Sequence, residues 1–151
     1  MEEASISSLI DNDDSYGSFI EFPCINEQYV GRKNRYVWGT AAIRPTNVNN
    51  AIAKFDLETR KCAGLWHEPG GIVGEPRFIP KHDVSHSDCT DGSGLIEDDG
   101  VVLAVVILPN GRSALVCLDG ATHKEVARSV FPDAVRITNG FHGTFIRKAV
   151  A

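Results

Sequence analysis

Helical periodicity is almost absent from this 151-residue chain; only Ala121–Val126 has the pattern of a helical turn. Long apolar runs are missing too. The longest, Val101–Leu108, is stopped by Pro109, far short of the roughly 20 residues a membrane-spanning helix needs. Basic charge is in deficit: 15 Lys and Arg stand against 20 Asp and Glu, a net charge of −5. Nucleic-acid affinity rests on phosphate neutralisation, so no nucleic-acid partner is expected. Cys24, Cys62, Cys89 and Cys117 never take C-x-x-C spacing. The N-terminus, MEEASISSLIDNDDSYGS, has no basic start and no apolar stretch, unlike a secretory signal. Four reduced thiols are therefore expected, with Cys117 as a core filler. No Gly-x-Ser-x-Gly elbow, Walker loop, His-Glu-x-x-His or dinucleotide fingerprint occurs, which argues against serine hydrolases, nucleotide binders and zinc proteases.

What is present is β pattern. Hydrophobic residues make up 42% and charged residues 23%, enough for one domain with a real core. Residues 1–16, rich in acids and Ser, read as a flexible acidic tail, and 17–151 as the folded unit. Strands are expected at Phe19–Ile25, Tyr36–Ile43, Ala51–Leu57, Ala63–Trp66, Arg77–Ile79, Val101–Leu108, Ser113–Leu118, Glu125–Val130 and Gly143–Arg147. Val101–Leu108 does not alternate, which predicts burial on both faces. Fourteen Gly and seven Pro suit many short strands and turns. The class is all-β and antiparallel: a sandwich, a barrel or a propeller. The polar stretch His82–Gly94 reads as a surface loop.

Internal repeats favour the propeller. Glu21-Phe-Pro-Cys-Ile25, Glu75-Pro-Arg-Phe-Ile79 and His142-Gly-Thr-Phe-Ile-Arg147 each place a polar group ahead of an apolar strand. Phe55-Asp-Leu-Glu-Thr59 resembles Leu118-Asp-Gly-Ala-Thr122. The intervals slightly exceed the roughly 40–50 residues of common blade repeats. The innermost strand of each blade lines the axis, so Glu21, Glu75 and His142 are expected near one axial point.

On local sequence alone, His142 between glycines reads as a satisfied core histidine, with a backbone free to approach a buried centre. Buried Glu21 and Glu75 would need partners. These are a backbone N–H, Arg35 or Arg77, or else the ring N–H of a metal-bound histidine. His82, His86 and Cys89 lack a fourth zinc ligand and read as solvated loop. His67 and His123 read as surface residues. Glu97-Asp-Asp-Gly100 reads as a turn whose charges keep a strand entrance solvated.

Taken together, the motifs resemble the C-terminal part of the carotenoid cleavage oxygenase family, which includes carotenoid dioxygenases and the retinoid isomerase. The carrying residues are Glu21-Phe-Pro-Cys-Ile-Asn26, Gly31-Arg-Lys-Asn-Arg-Tyr-Val-Trp-Gly39, Lys54-Phe-Asp-Leu57, Gly74-Glu-Pro-Arg-Phe-Ile-Pro80, Glu97-Asp-Asp-Gly100 and Gly140-Phe-His-Gly-Thr-Phe145, in the family's order. The resemblance implies a seven-bladed β-propeller, of which this chain holds the last two blades or so. It implies a ferrous ion (Fe2+) on the axis, held by four histidines, three of them oriented by glutamates. His142 matches the last iron-binding histidine; Glu21 and Glu75 match two of the orienting glutamates. None of these three is a proton-transferring residue in that scheme. The implied reaction adds both atoms of O2 across a conjugated C=C bond of a carotenoid, apocarotenoid or stilbene, giving two carbonyl products. The implied setting is intracellular, in cytoplasm or plastid, and allows peripheral membrane association of the full-length form. Three iron histidines, the third glutamate and the helical cap over the propeller have no counterpart here. A C-terminal fragment, inactive by itself, is therefore expected. The alternative is a non-catalytic propeller fragment acting as an interaction module. Two blades standing alone leave strand edges unpaired and an apolar side uncovered, which predicts poor solubility or a partly molten chain.

Overall fold

A computed structural model describes residues 20–81, 96–139 and 142–146. The acidic tail, the boundary at residue 17, and the loop with His82, His86 and Cys89 lie outside the described residues. Among those described there are nine β-strands, one 3-10 turn at Glu27–Tyr29 and no α-helix. No helix among them is long and apolar enough to cross a membrane.

The first sheet is an antiparallel meander of β1 (Glu21–Cys24), β2 (Tyr36–Ala41), β3 (Ala51–Asp56) and β4 (Lys61–His67), paired in chain order. In the second sheet, β5 (Ile72–Val73) and β6 (Arg77–Pro80) both pair with β7 (Gly100–Ile107). Ile72 lies opposite Ile107 and Pro80 opposite Gly100, so β5 and β6 are two halves of one inner strand, interrupted at Gly74-Glu75-Pro76. β8 (Ser113–Asp119) and β9 (Glu125–Val130) complete the meander. Each sheet thus has four strand positions. The two are consecutive blades of a partial β-propeller, joined where Glu68–Gly71 leads from outer β4 to inner β5.

The aspartate-turn repeat is visible in the backbone. At the β3–β4 turn, Asp56 Oδ1 accepts from the Glu58 and Thr59 amides at 2.9 and 3.3 Å. At the β8–β9 turn, Asp119 Oδ1 accepts from the Thr122 amide and hydroxyl, both at 2.7 Å. Four residues after its aspartate, each turn closes on a left-handed residue: Arg60 at φ 57° and His123 at φ 58°. A side-chain-capped turn of this kind adds to the backbone pairing at the hairpin end, where the His123 N–H also donates to the Asp119 carbonyl at 2.8 Å. It also corrects the helical turn expected at Ala121–Val126, since β9 begins at Glu125.

The blades share one apolar core. Trp38, Ile52 and Trp66 of the first pack with Val73, Phe78, Val102, Ala104, Val106, Val116 and Leu118 of the second. Trp38 and Phe78 stack with centroids 4.3 Å apart. Fully burying each large side chain contributes about 1.5–3 kcal/mol, so this seam holds the blades together. β7 differs from the expectation of two buried faces: Val102, Ala104 and Val106 are buried, while Leu103, Val105 and Ile107 are half-buried. Its second face lies on the side of the sheet away from the first blade. The strand buried throughout is β3, whose far face forms a second cluster of Ala41, Ala51, Ala53 and Phe55. Cys117 lies on the half-buried face of β8 and is not a core filler.

A polar seam runs beside the apolar one. Lys54 is buried, with Nζ donating to Asp98 Oδ2 at 2.6 Å and to the Gly120 and Ala121 carbonyls at 2.8 and 2.9 Å. Its ammonium also lies 4.1 Å from the Tyr36 ring centroid. Glu97 accepts from the Arg35 and Tyr36 amides at 2.7–2.9 Å. Glu97-Asp-Asp-Gly100 is indeed a turn, closed by Asp99 N–H to Ile96 O at 3.1 Å. The carboxylates of Glu97 and Asp98, however, bind the other blade; they do not solvate the strand entrance.

His123 also corrects an expectation. It is 4% exposed, with Nε2 at 2.9 Å from the Ile52 carbonyl across the seam. The fit depends on Gly64: a Cβ there would lie 2.6 Å from His123 Cβ. His67 is half-buried, with an enclosed Nε2, and is not a surface residue either.

Candidate metal centre

The interruption of the inner strand aims Glu75. Gly74 keeps the ladder by donating its N–H to Val105 O at 2.8 Å, while Pro76 has no N–H to give and is fully buried. Between them, Glu75 leaves the pairing pattern with its side chain 10% exposed. Its carboxylate faces the returning C-terminal segment.

That segment meets it at His142 and Gly143. His142 Nδ1 lies 3.3 Å from Glu75 Oε1, and the Gly143 N–H donates to Glu75 Oε2 at 2.8 Å. A carboxylate has only acceptors, so Nδ1 is the donor to Glu75, and in the neutral ring this tautomer leaves the lone pair on Nε2. Arg77, on β6, donates from Nε to the Gly143 carbonyl at 2.8 Å and holds its other nitrogen 3.4 Å from Glu75 Oε2. The Phe22 ring stands edge-on to the imidazole, centroids 6.0 Å apart at 82°. Phe22 has φ 49°, a left-handed conformation rare for a bulky residue, at the irregular start of β1.

Glu75 and His142 are in contact. The Glu75 carboxylate engages a backbone N–H, an arginine and a histidine ring together, where the sequence left these as alternatives. His142 is 74% exposed and is not a satisfied core histidine. Glu21 opens β1 opposite Thr40 and is exposed. Its neighbour Phe22, not Glu21, reaches His142.

The strand expected at Gly143–Arg147 is absent over its described residues, 143–146. Side chains explain this: both backbone groups of Gly143 are bound by Glu75 and Arg77, so no strand partner is needed. Among the described residues, a Cβ at Gly143 would meet nothing within 4 Å. Arg77's hold on Gly143 and the turn of Phe22 toward the ring were missed in the sequence, because neither has a spacing signature.

The donor chemistry suits one arm of a metal centre. A neutral imidazole, with its far nitrogen held by a carboxylate, is the common arrangement of a metal-bound histidine. No group of three or more His, Cys, Asp or Glu that could hold a metal gathers among the described residues. Cys24 closes β1, and burial pushes its thiol up to about 11, outweighing the Phe78 backbone hydrogen bond.

The family described as retinal pigment epithelial membrane protein matches residues 3–147. The chloroplastic carotenoid cleavage dioxygenase 8 of Arabidopsis thaliana is 38% identical over 89% of this chain, which spans 21% of that protein. The mitochondrial carotenoid-cleaving dioxygenase of Mustela putorius furo is 36% identical over 84% of the chain, again 21% of its own length. Among solved structures, a Synechocystis apocarotenoid oxygenase variant aligns with TM-score 0.70 and 32% identity, over 85% of this chain and 26% of that one. A cobalt-substituted form of that oxygenase aligns with TM-score 0.61 and 35% identity, over 74% of this chain and 22% of that one. The chain thus spans about a fifth of the curated relatives it matches. It belongs to the retinal pigment epithelial membrane protein family, the family of the carotenoid cleavage dioxygenases.

Proposed function

We propose that this chain is the C-terminal portion of a non-haem iron(II) dioxygenase that cleaves a conjugated C=C bond of a carotenoid or apocarotenoid. Residues 17–151 form the last blades of a seven-bladed ring in this reading. The observation that carries it is the contact of His142 Nδ1 with Glu75 at 3.3 Å, in a chain whose relatives are named for carotenoid cleavage.

His142 offers Nε2 to the metal, and Glu75 fixes both tautomer and ring direction. Holding the proton on Nδ1 also raises the basicity of the donor nitrogen. Glu21, exposed at the axial start of β1, orients a histidine supplied from outside this chain. Phe22 screens one edge of the imidazole from water. A ferrous ion held by neutral imidazoles supplies the O2-dependent cleavage. Overall the C=C double bond is broken and each carbon takes one oxygen atom of O2, giving two carbonyl groups. The relatives' names place them in chloroplasts and mitochondria, which supports an intracellular setting.

The test uses a polypeptide of the relatives' length that carries this chain. Incubation with an apocarotenoid under 18O2 is expected to give two carbonyl products, with His142→Ala reducing turnover to background. Full turnover in His142→Ala would overturn the assignment.

A further inference from the structure

We infer that Arg77 is a positioning residue, a brace that holds Glu75 and the His142–Gly143 segment in the geometry a metal ligand needs. The inference rests on the proposed function, which it deepens by adding a residue behind the orienting glutamate.

The brace is a closed loop of four contacts. Glu75 Oε1 takes His142 Nδ1 at 3.3 Å, and Oε2 takes the Gly143 N–H at 2.8 Å. Arg77 Nε takes the carbonyl of the same Gly143 at 2.8 Å, and its second nitrogen returns to Glu75 Oε2 at 3.4 Å. Two side chains, two residues apart on one inner strand, thus grip both polar groups of one glycine. They stand in for a strand partner. The planar, forked guanidinium suits this double task, because its nitrogens address two acceptors in fixed directions.

The anchor's backbone is held in the sheet, and its side chain is 36% exposed. Arg77 lies in β6, opposite Leu103 in the ladder with β7. Glu75 has no ladder contact of its own, and the described residues 142–146 form no strand. Glu75 thus helps to set the imidazole's direction beside the Phe22 ring, and what holds Oε2 helps to set the direction of Glu75. Without Arg77, the carboxylate keeps its two N–H donors but loses its cation, and the Gly143 carbonyl loses its donor.

The experiment uses a metal-free polypeptide of the relatives' length that carries this chain, labelled with 15N at histidine, glycine and valine. Long-range 1H–15N correlation reads the His142 tautomer, and amide exchange reads the Gly143 N–H. In the wild type, the proton is expected on Nδ1 and the Gly143 amide protected. Arg77→Ala is expected to give a tautomer mixture and faster Gly143 exchange, by roughly three- to tenfold for one charge-assisted bond at a partly exposed site. Arg77→Lys, which keeps the charge but not the fork, is expected to fall between. Exchange at Val102 and Val116 stays slow in both variants if the fold is intact. If Arg77→Ala keeps the wild-type tautomer and Gly143 protection, the brace is refuted while the Glu75–His142 pair stands. A wild-type ring protonated on Nε2 would overturn the pair and the brace together.

Discussion

Lys54 is the residue whose removal most directly tests the joint between the blades. Its side chain is 3% exposed and that of its partner Asp98 13%, so the pair is shielded from screening by water. Nζ satisfies one carboxylate oxygen and the carbonyls of Gly120 and Ala121. Lys54→Ala leaves all three acceptors without this donor and opens space along the lysine stem. Breaking a buried ion pair from one side costs about 3–5 kcal/mol, and that is the expected loss. The assay is urea unfolding at micromolar concentration, followed by the fluorescence of Trp38 and Trp66, which both lie in the shared core. Lys54→Met with Asp98→Asn removes both charges, and the cycle should show coupling of about 1–3 kcal/mol. A loss below about 1 kcal/mol for Lys54→Ala, or strict additivity in the cycle, would refute the reasoning.

The buried His123 sets a pH dependence. Burial, with a smaller contribution from the Lys54 charge, lowers its pKa below the ordinary 6.5 and outweighs the Ile52 carbonyl. The unfolded chain then binds the proton more readily, so stability falls as pH drops below about 6.5. His123→Asn, which tolerates the left-handed backbone, should flatten urea midpoints between pH 7.5 and 5.5; an unchanged slope would contradict the burial argument. Asp56, held well below the usual carboxylate range mainly by Arg35, adds a second loss as pH falls below its ordinary 3.8. Gly64→Ala forces a Cβ to 2.6 Å from that of His123 and should cost about 1–3 kcal/mol in the same urea assay. The isolated chain exposes Val126, Val130, Phe145 and Ile146 and should self-associate with rising concentration in sedimentation velocity; a monomer at every concentration would count against this.

Eight of the nine strand positions were legible because their segments have β-rich composition bounded by Gly, Pro or acidic turns; the two-residue β5 (Ile72–Val73) is too short to give a pattern, and the strand expected at Gly143–Arg147 is absent over its described residues. The aspartate repeat was legible as well, and the matched left-handed residues Arg60 and His123 give it a backbone meaning. Burial was less so. Val101–Leu108 looks like a strand buried on both faces, yet β3 holds that place. Alanine at 51 and 53 and a lysine at 54 carry no such signal, because Lys54 is buried only by virtue of partners some 44 to 67 residues away. His123 was misread for the same reason: its polar neighbours mark a turn, while its ring enters a gap that Gly64 leaves in the other blade. At the candidate centre, the residue types pointed to Glu75 and His142, but the hold of Arg77 on a glycine peptide has no sequence pattern to read.

Iron content in a polypeptide of the relatives' length tests the central claim most directly. The wild type should carry one iron per chain, His142→Ala should lose it, and Glu75→Gln should weaken iron affinity by about 10- to 100-fold. Stoichiometric iron bound with undiminished affinity in His142→Ala would contradict the account.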